Sequence, residues 1–332
     1  MSSLRSRVGR ALARTHVART GLVVGAWQDG QEVGLWHRGE LPAGAASILE
    51  IGSITKVFTA TLLADMAHEG LLGIDDRVSL HLPPGVEMPS RGREITLADL
   101  SSHRSGLPGL PRGLLLPALT TRRRDPYADW DAARLEAAIP RTRPRRPPER
   151  RAGYSNYGVG LLGYALAHRA GMSYDQLVQE RICRPLGMSD TGLTVDGGRL
   201  ATGHTRGGRP TPHWDLAALA GAGGLRSTAA DLITFLRLHA DHSERPLAVA
   251  ARETQRPRAR MGAAHVGLGW LLLPPGAGGM RVGLVMHEGG TGGFRAFAAL
   301  SPERRVAVVV LANQARSVTR LGLRLMRAAV GR

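Results

Sequence analysis

A serine and a lysine three residues apart, Ser53 and Lys56, are the pair in this chain best suited to chemistry. Lys56 is the one lysine among 44 basic residues; the rest are arginine. Arginine cannot release its proton near neutral pH, whereas a lysine withdrawn from water can. A serine hydroxyl is a poor nucleophile until a base takes its proton, and a lysine one helical turn away shares its face. Apolar spacing over Thr55–His68 predicts a helix stopped by Gly70, with Ser53 at or just before the first turn. Backbone N–H groups there favour developing negative charge. A serine in that position is equally suited to capping the helix.

Two further segments carry candidate groups. Tyr154-Ser155-Asn156 puts a phenol and an amide side by side where an Arg/Pro loop meets a helix. A tyrosine near a lysine can pass a proton to a leaving group, and an asparagine can orient a substrate amide. The alternative is a turn with a capping Asn, and Tyr157 reads as packing. His287-Glu288-Gly289-Gly290-Thr291-Gly292-Gly293-Phe294 closes one predicted strand and leads into the next. Its glycines permit close backbone approach to a ligand, and a backbone N–H there can pair with that of Ser53 as an oxyanion hole. The alternative is a glycine-rich hairpin loop with His287 on the surface.

These residues need a scaffold. Leu22–Trp27 and Val33–Trp36 flank Asp29-Gly30, a strong hairpin signal. The middle of the chain reads as helical and loop-rich, with helices over 131–138, 159–170 and 173–183, and two capped by Thr96 and Thr228. Toward the C-terminus, 266–273, 281–287, 294–301 and 305–313 read as strands, followed by a helix over 316–330. The first hairpin needs sheet partners, and the C-terminal strands are the available ones. The expectation is an α+β fold. Its antiparallel sheet with flanking helices comes from both chain ends (1–70 and 262–332), and a mostly helical domain (71–261) is inserted between them.

At 332 residues the chain is long enough to bury a substantial core. Its formal charge of +17 would suit nucleic acid, but the arginines are scattered. The exceptions are Arg122-Arg123-Arg124 and a proline-broken run from Arg141 to Arg151 that reads as a solvated loop. No aromatic interleaving accompanies them, so no nucleic-acid partner is expected. The single cysteine, Cys183, excludes an intrachain disulfide and reads as a small core residue. No apolar run approaches a membrane span. The basic N-terminus is similar to a signal n-region, but the apolar stretch Gly21–Trp27 is short and continues into the hairpin; a cytoplasmic location is expected. No His, Asp or Cys spacing marks a metal site, and no cofactor is expected.

Order and spacing together are more specific than any one motif. The chain resembles the serine β-lactamase and penicillin-binding-protein superfamily, in particular the class C β-lactamase-related serine hydrolases. The resemblance runs through ILEIGSITKVFTATLLADMAHEGLLGIDDRVSLHLP, ITLADLSSHRSGLPG, YSNYGVGLLGYALAHRAGMSYDQLVQERICRPLGMSDTGL, GAGGLRSTAADLITFL and HEGGTGGF. It implies a β-lactamase/transpeptidase-like fold with the site in a cleft between sheet and helical domain. It implies Ser53 as the acylated nucleophile, Lys56 as its base partner, Tyr154 as the second acid/base group and Asn156 as a substrate contact. His287 and Gly289 fall at the third motif, with the Gly290 N–H as second oxyanion donor. Many members carry lysine where His287 stands, and a histidine is only partly charged at neutral pH, which argues against efficient β-lactam hydrolysis. Ser102–Pro108 reads as structural, His103 being a hydrogen-bonded turn residue. The expected activity is hydrolysis of an ester or small amide of a small-molecule acyl substrate. The alternatives are a biosynthetic acyltransferase with an amine or alcohol acceptor, a β-lactamase, or a non-catalytic binding homologue.

Overall fold

A computed structural model describes residues 3–14, 20–114, 125–149 and 151–331. Arg122–Arg124 and the middle of the loop between Leu107 and Arg151 lie outside the described residues. The architecture is the expected α+β one. Eight antiparallel strands form the main sheet: β1 (Leu22–Gln28), β2 (Gly34–Arg38), β7 (Ala259–Met261), β8 (Ala264–Val266), β9 (Leu271–Leu273), β10 (Leu284–Gly290), β11 (Arg295–Ser301) and β12 (Val306–Ala312). Their order is β2-β1-β12-β11-β10-β9-β8-β7, so the N-terminal hairpin joins the C-terminal strands through the β1–β12 ladder. Two short ladders stand apart, β3 (Leu49–Glu50) with β6 (Arg226–Ser227) and β4 (Gly203–His204) with β5 (Pro210–Thr211).

The sheet is covered on both faces, and β12 shows why. All seven residues of VAVVVLA are buried. Ala307, Val309 and Leu311 point into the larger core, while Val306, Val308, Val310 and Ala312 point into a second core behind the sheet. That rear core is closed by helices α1 (Leu4–Ala13) and α9 (Thr319–Val330). No helix was expected at the N-terminus; α1 buries Leu4, Val8 and Leu12, one residue per turn, beneath the sheet.

The larger core surrounds helix α2 (Thr55–His68), whose residues from Thr55 to Met66 are all buried. Around it lie α3 (Leu97–Ser101), α4 (Ala132–Ala138), α5 (Asn156–Ala170), α6 (Tyr174–Val178), α7 (Ala229–His239) and α8 (Pro246–Glu253). Helix α7 rests on β1 and β12, and β7 begins ahead of residue 262, where the sheet's return was expected. Helix α5 starts three residues earlier than its periodicity suggests, because Ser155 caps it by accepting the Gly158 N–H at 2.9 Å. The strand expected over 266–273 is broken. Gly269 has φ +70°, and a Cβ there would lie 2.8 Å from the Lys56 carbonyl oxygen. The chain must leave the strand conformation to pass the first turn of α2 at that distance. Among the described residues, no helix is long and apolar enough to cross a membrane.

Candidate active site

Ser53 lies in a single 3₁₀ turn, Gly52–Ile54, that runs straight into α2. No side chain caps α2, so the Ser53 hydroxyl is not spent on the backbone. Instead it accepts a hydrogen bond from Lys56 Nζ at 2.9 Å. Lys56 Nζ also donates to the Ala222 carbonyl at 2.5 Å. Lys56 is wholly buried, and among the described residues no carboxylate pairs with it. Burial alone lowers its pKa from 10.5 to about 7. The acceptor carbonyl belongs to the turn Ala217–Ala222, held against α2 by the Thr59 hydroxyl, which donates to the Gly221 carbonyl at 2.7 Å.

Strand β10 meets that turn backbone to backbone. Gly52 has φ +51°, and a Cβ on it would sit 2.5 Å from the Gly290 nitrogen. A Cβ on Gly289 would sit 1.9 Å from the Ile51 carbonyl oxygen. Only glycine at these positions lets the two segments approach so closely, which lays the Gly290 backbone against the turn that carries Ser53. Gly289 and Gly290 are part of β10 and not of a loop; the turn is confined to the residues between β10 and β11.

Tyr154 enters from the segment before α5. That segment is pinned on both sides, by Gly153 N–H to the His103 carbonyl at 2.7 Å and Asn156 N–H to the Gly109 carbonyl at 3.0 Å. The Tyr154 ring lies 5.0 Å from Lys56 Nζ, 4.5 Å from the His103 ring and 6.3 Å from the His287 ring. Tyr154 is 43 % exposed, so one side of it faces open space. Burial of its phenol still raises the pKa above the ordinary tyrosine value, the Ser53 hydroxyl pulling the other way. Asn156 occupies the first turn of α5 and is not the cap; its Oδ1 is buried without a hydrogen-bond partner.

His287 is buried in β10, and its Nδ1 lies 2.6 Å from the Glu288 carbonyl oxygen. Desolvation, then the positive charge of Lys56, lower its pKa to about 3, so the ring is neutral at physiological pH. His103 is in the same state: burial, Lys56 and His287 hold its pKa well below 6.5. It is a turn residue with φ +60°, as expected, and its Nδ1 faces the Ser155 N–H at 3.4 Å. Its ring also supports Tyr154, a placement that no spacing motif reveals.

The structure therefore gathers Ser53, Lys56, Tyr154, His287 and the Gly289-Gly290 backbone, with Asn156 following Tyr154 at the start of α5. Among the described residues, no group of three or more His, Cys, Asp or Glu side chains is arranged to hold a metal ion. A family model described as "Beta-lactamase" matches residues 10–331. The chain belongs to the beta-lactamase family. It is 32 % identical over 289 residues to the D-alanyl-D-alanine-carboxypeptidase/endopeptidase AmpH of Escherichia coli strain K12, covering 81 % of this chain and 71 % of that protein. It is 26 % identical over 306 residues to a beta-lactamase of Pseudomonas fluorescens, covering 82 % of this chain and 81 % of the other. Among solved structures, a class C beta lactamase from Rhodobacter sphaeroides superposes with a TM-score of 0.79 at 26 % identity, covering 99 % of both chains.

Beyond the motifs, Gly52 packs against Gly290, Tyr127 stands beside the Asn156 side chain and Trp214 against Gly292. The Gly-Ser-x-x-Lys order does signal Gly52, but Tyr127 and Trp214 lie in segments with no recognisable pattern.

Proposed function

We propose that this chain is a serine hydrolase that opens an ester or amide bond through an acyl-enzyme on Ser53. The neutral amine of Lys56 takes the Ser53 proton as Oγ attacks the carbonyl carbon. The N–H groups of Ser53 and Gly290 hold the oxyanion of the tetrahedral intermediate. Tyr154, beside Lys56, passes the proton on to the leaving group, and Asn156 orients the substrate. Water then attacks the acyl carbonyl, frees the acid and restores Ser53. The observation that carries this reading is Lys56: wholly buried, without a carboxylate partner, its Nζ 2.9 Å from Ser53 Oγ and its pKa near 7.

The neutral His287 offers no fixed positive charge for a substrate carboxylate, which favours esters and uncharged amides over anionic β-lactams. The name of the AmpH relative points to D-alanyl-D-alanine peptides, and with His287 neutral the C-terminally amidated form, which carries no carboxylate, is the amide to try first. Incubation with a fluorophosphonate probe followed by intact mass tests the chemistry. A single adduct is expected, absent from Ser53→Ala. No adduct on folded wild-type protein, as judged by circular dichroism, would overturn the proposal. Added amine acceptors that leave the hydrolysis product unchanged separate hydrolysis from acyl transfer.

A further inference from the structure

Glu50, three residues before Ser53, belongs to an acidic and aromatic cluster that the acyl-enzyme chemistry does not use. Glu50 itself is 3 % exposed. Its Oε1 accepts the Trp214 N–H at 3.1 Å and lies 2.7 Å from His213 Nδ1, while its Oε2 is buried with no hydrogen-bond partner. Arg226 stands opposite Glu50 in the β3–β6 ladder but gives its guanidinium to the carbonyls of Leu193 and Trp214, with no ion pair to Glu50. Asp125 accepts the N–H of Tyr127 at 2.9 Å and the N–H of Asp215. Burial, with smaller contributions from Asp215 and Glu50, pushes the Asp125 pKa up to about 6. The three carboxylates thus run from exposed Asp215 through half-buried Asp125 to buried Glu50.

Two rings wall this cluster. Tyr127 and Trp214 lie 5.5 Å apart, tilted by 54°. Trp214 Nε1 is 2.8 Å from where a Cβ on Gly292 would be, so the indole abuts the turn that follows β10. The Tyr127 phenol, its pKa raised by burial to about 12, is also influenced by the Asn156 side chain, and its charge bears on Tyr154. Through Tyr127 the cluster adjoins Asn156 and Tyr154.

We propose that Glu50, Asp125 and Asp215, with the faces of Tyr127 and Trp214, form a subsite for a cationic substituent of the substrate, an ammonium group. This rests on the serine-hydrolase reading above. Two independent features point the same way. An orphaned, buried carboxylate oxygen is costly and calls for a donor, and a pair of aromatic faces favours a cation over a neutral group. An ammonium carries three donors and one positive charge, so it relieves both the unpaired Glu50 oxygen and the repulsion among the carboxylates.

The test compares 6-aminohexanoyl and 6-acetamidohexanoyl p-nitrophenyl esters at pH 7, where the first carries a charged amine. The ammonium ester should be favoured by about 10-fold in kcat/KM, and Asp125→Asn and Asp215→Asn should each lower that ratio by about 3-fold or more. Asp215 is exposed and its Oδ1 accepts the Ala217 N–H at 2.9 Å, a bond that the asparagine carbonyl oxygen can keep while the charge is removed. A ratio near one, with Ser53 still labelled by the fluorophosphonate, would overturn the subsite and leave the hydrolase reading intact. If neither ester is turned over, calorimetry on Ser53→Ala protein decides. Binding of 2-phenylethylammonium at least about 10-fold tighter than 2-phenylethanol, reduced in Ser53→Ala/Asp215→Asn, supports the subsite. Equal binding of the two overturns it.

Discussion

The start of helix α2 and the end of strand β10 each bring one basic side chain to the same buried site, and they meet different fates there. Lys56 and His287 both lose affinity for a proton through desolvation. The lysine begins at 10.5 and arrives at about 7; the histidine begins at 6.5 and arrives at about 3. One environment therefore makes a titratable base of the first and a permanently neutral ring of the second. The coupling is direct, since the charge of Lys56 is itself part of what keeps His287 neutral. Burial at this site selects lysine as the residue that exchanges protons near pH 7, and it removes the positive charge that a third-motif lysine would supply.

That contrast can be broken at several points. The largest effect is expected from Lys56→Arg, which keeps a positive charge and removes the base. Ester kcat/KM should fall by at least about 100-fold, and a loss under about 3-fold would refute the role given to Lys56. Lys56→Met should stabilise the fold. Between about 7 and 10.5 the unfolded chain binds a proton that the folded chain does not, so wild-type stability rises with pH across that window. Below about 7 both states are protonated, and the buried charge costs on the order of a few kcal/mol. Urea midpoints should therefore show a larger gain for Lys56→Met at pH 6 than at pH 10; equal gains would mean that the folded-state pKa is not depressed.

His287→Lys adds a second ammonium beside the first. It should raise turnover of anionic substrates by about 10-fold and move the Lys56 inflection to lower pH; an unmoved inflection would show that the two positions are not electrostatically coupled. The smallest effect concerns the wild-type profile. Ester kcat/KM should climb through about pH 7 as Lys56 loses its proton, with no second step near 6.5. His287→Gln should leave that inflection within about 0.3 units, and a lost acidic step in this variant would mean that His287 titrates after all.

How far the sequence carried depended on how local each signal was. The periodicity of Thr55–His68, the Gly171 stop after α5 and the Asp29-Gly30 hairpin depend on near neighbours, and they were legible. Strand ends were less so. The segment 266–273 looks like one apolar strand, yet the close passage of Gly269 over Lys56 splits it, and that contact joins residues far apart in sequence. Helix α1 was hidden because its apolar residues recur only once per turn among arginines and show their purpose only against the rear of the sheet. The strand leading into the His287–Phe294 run was expected to end at His287, whereas β10 continues through Gly289 and Gly290. Their need to be glycine comes from Ile51 and Gly52 on the facing turn.

By itself the sequence determined which groups are available: one lysine one helical turn from a serine, a Tyr-x-Asn, and a His-x-Gly-Gly run. Side-chain type and helical spacing suffice for that, because both are local. Only the tertiary structure decided what those groups can do. Complete burial brought Lys56 to about 7 and held His287 near 3, and the glycine contact between α2's leading turn and β10 laid the Gly290 backbone against the turn that carries Ser53. Desolvation and backbone proximity arise from packing between distant segments, so no local pattern encodes them.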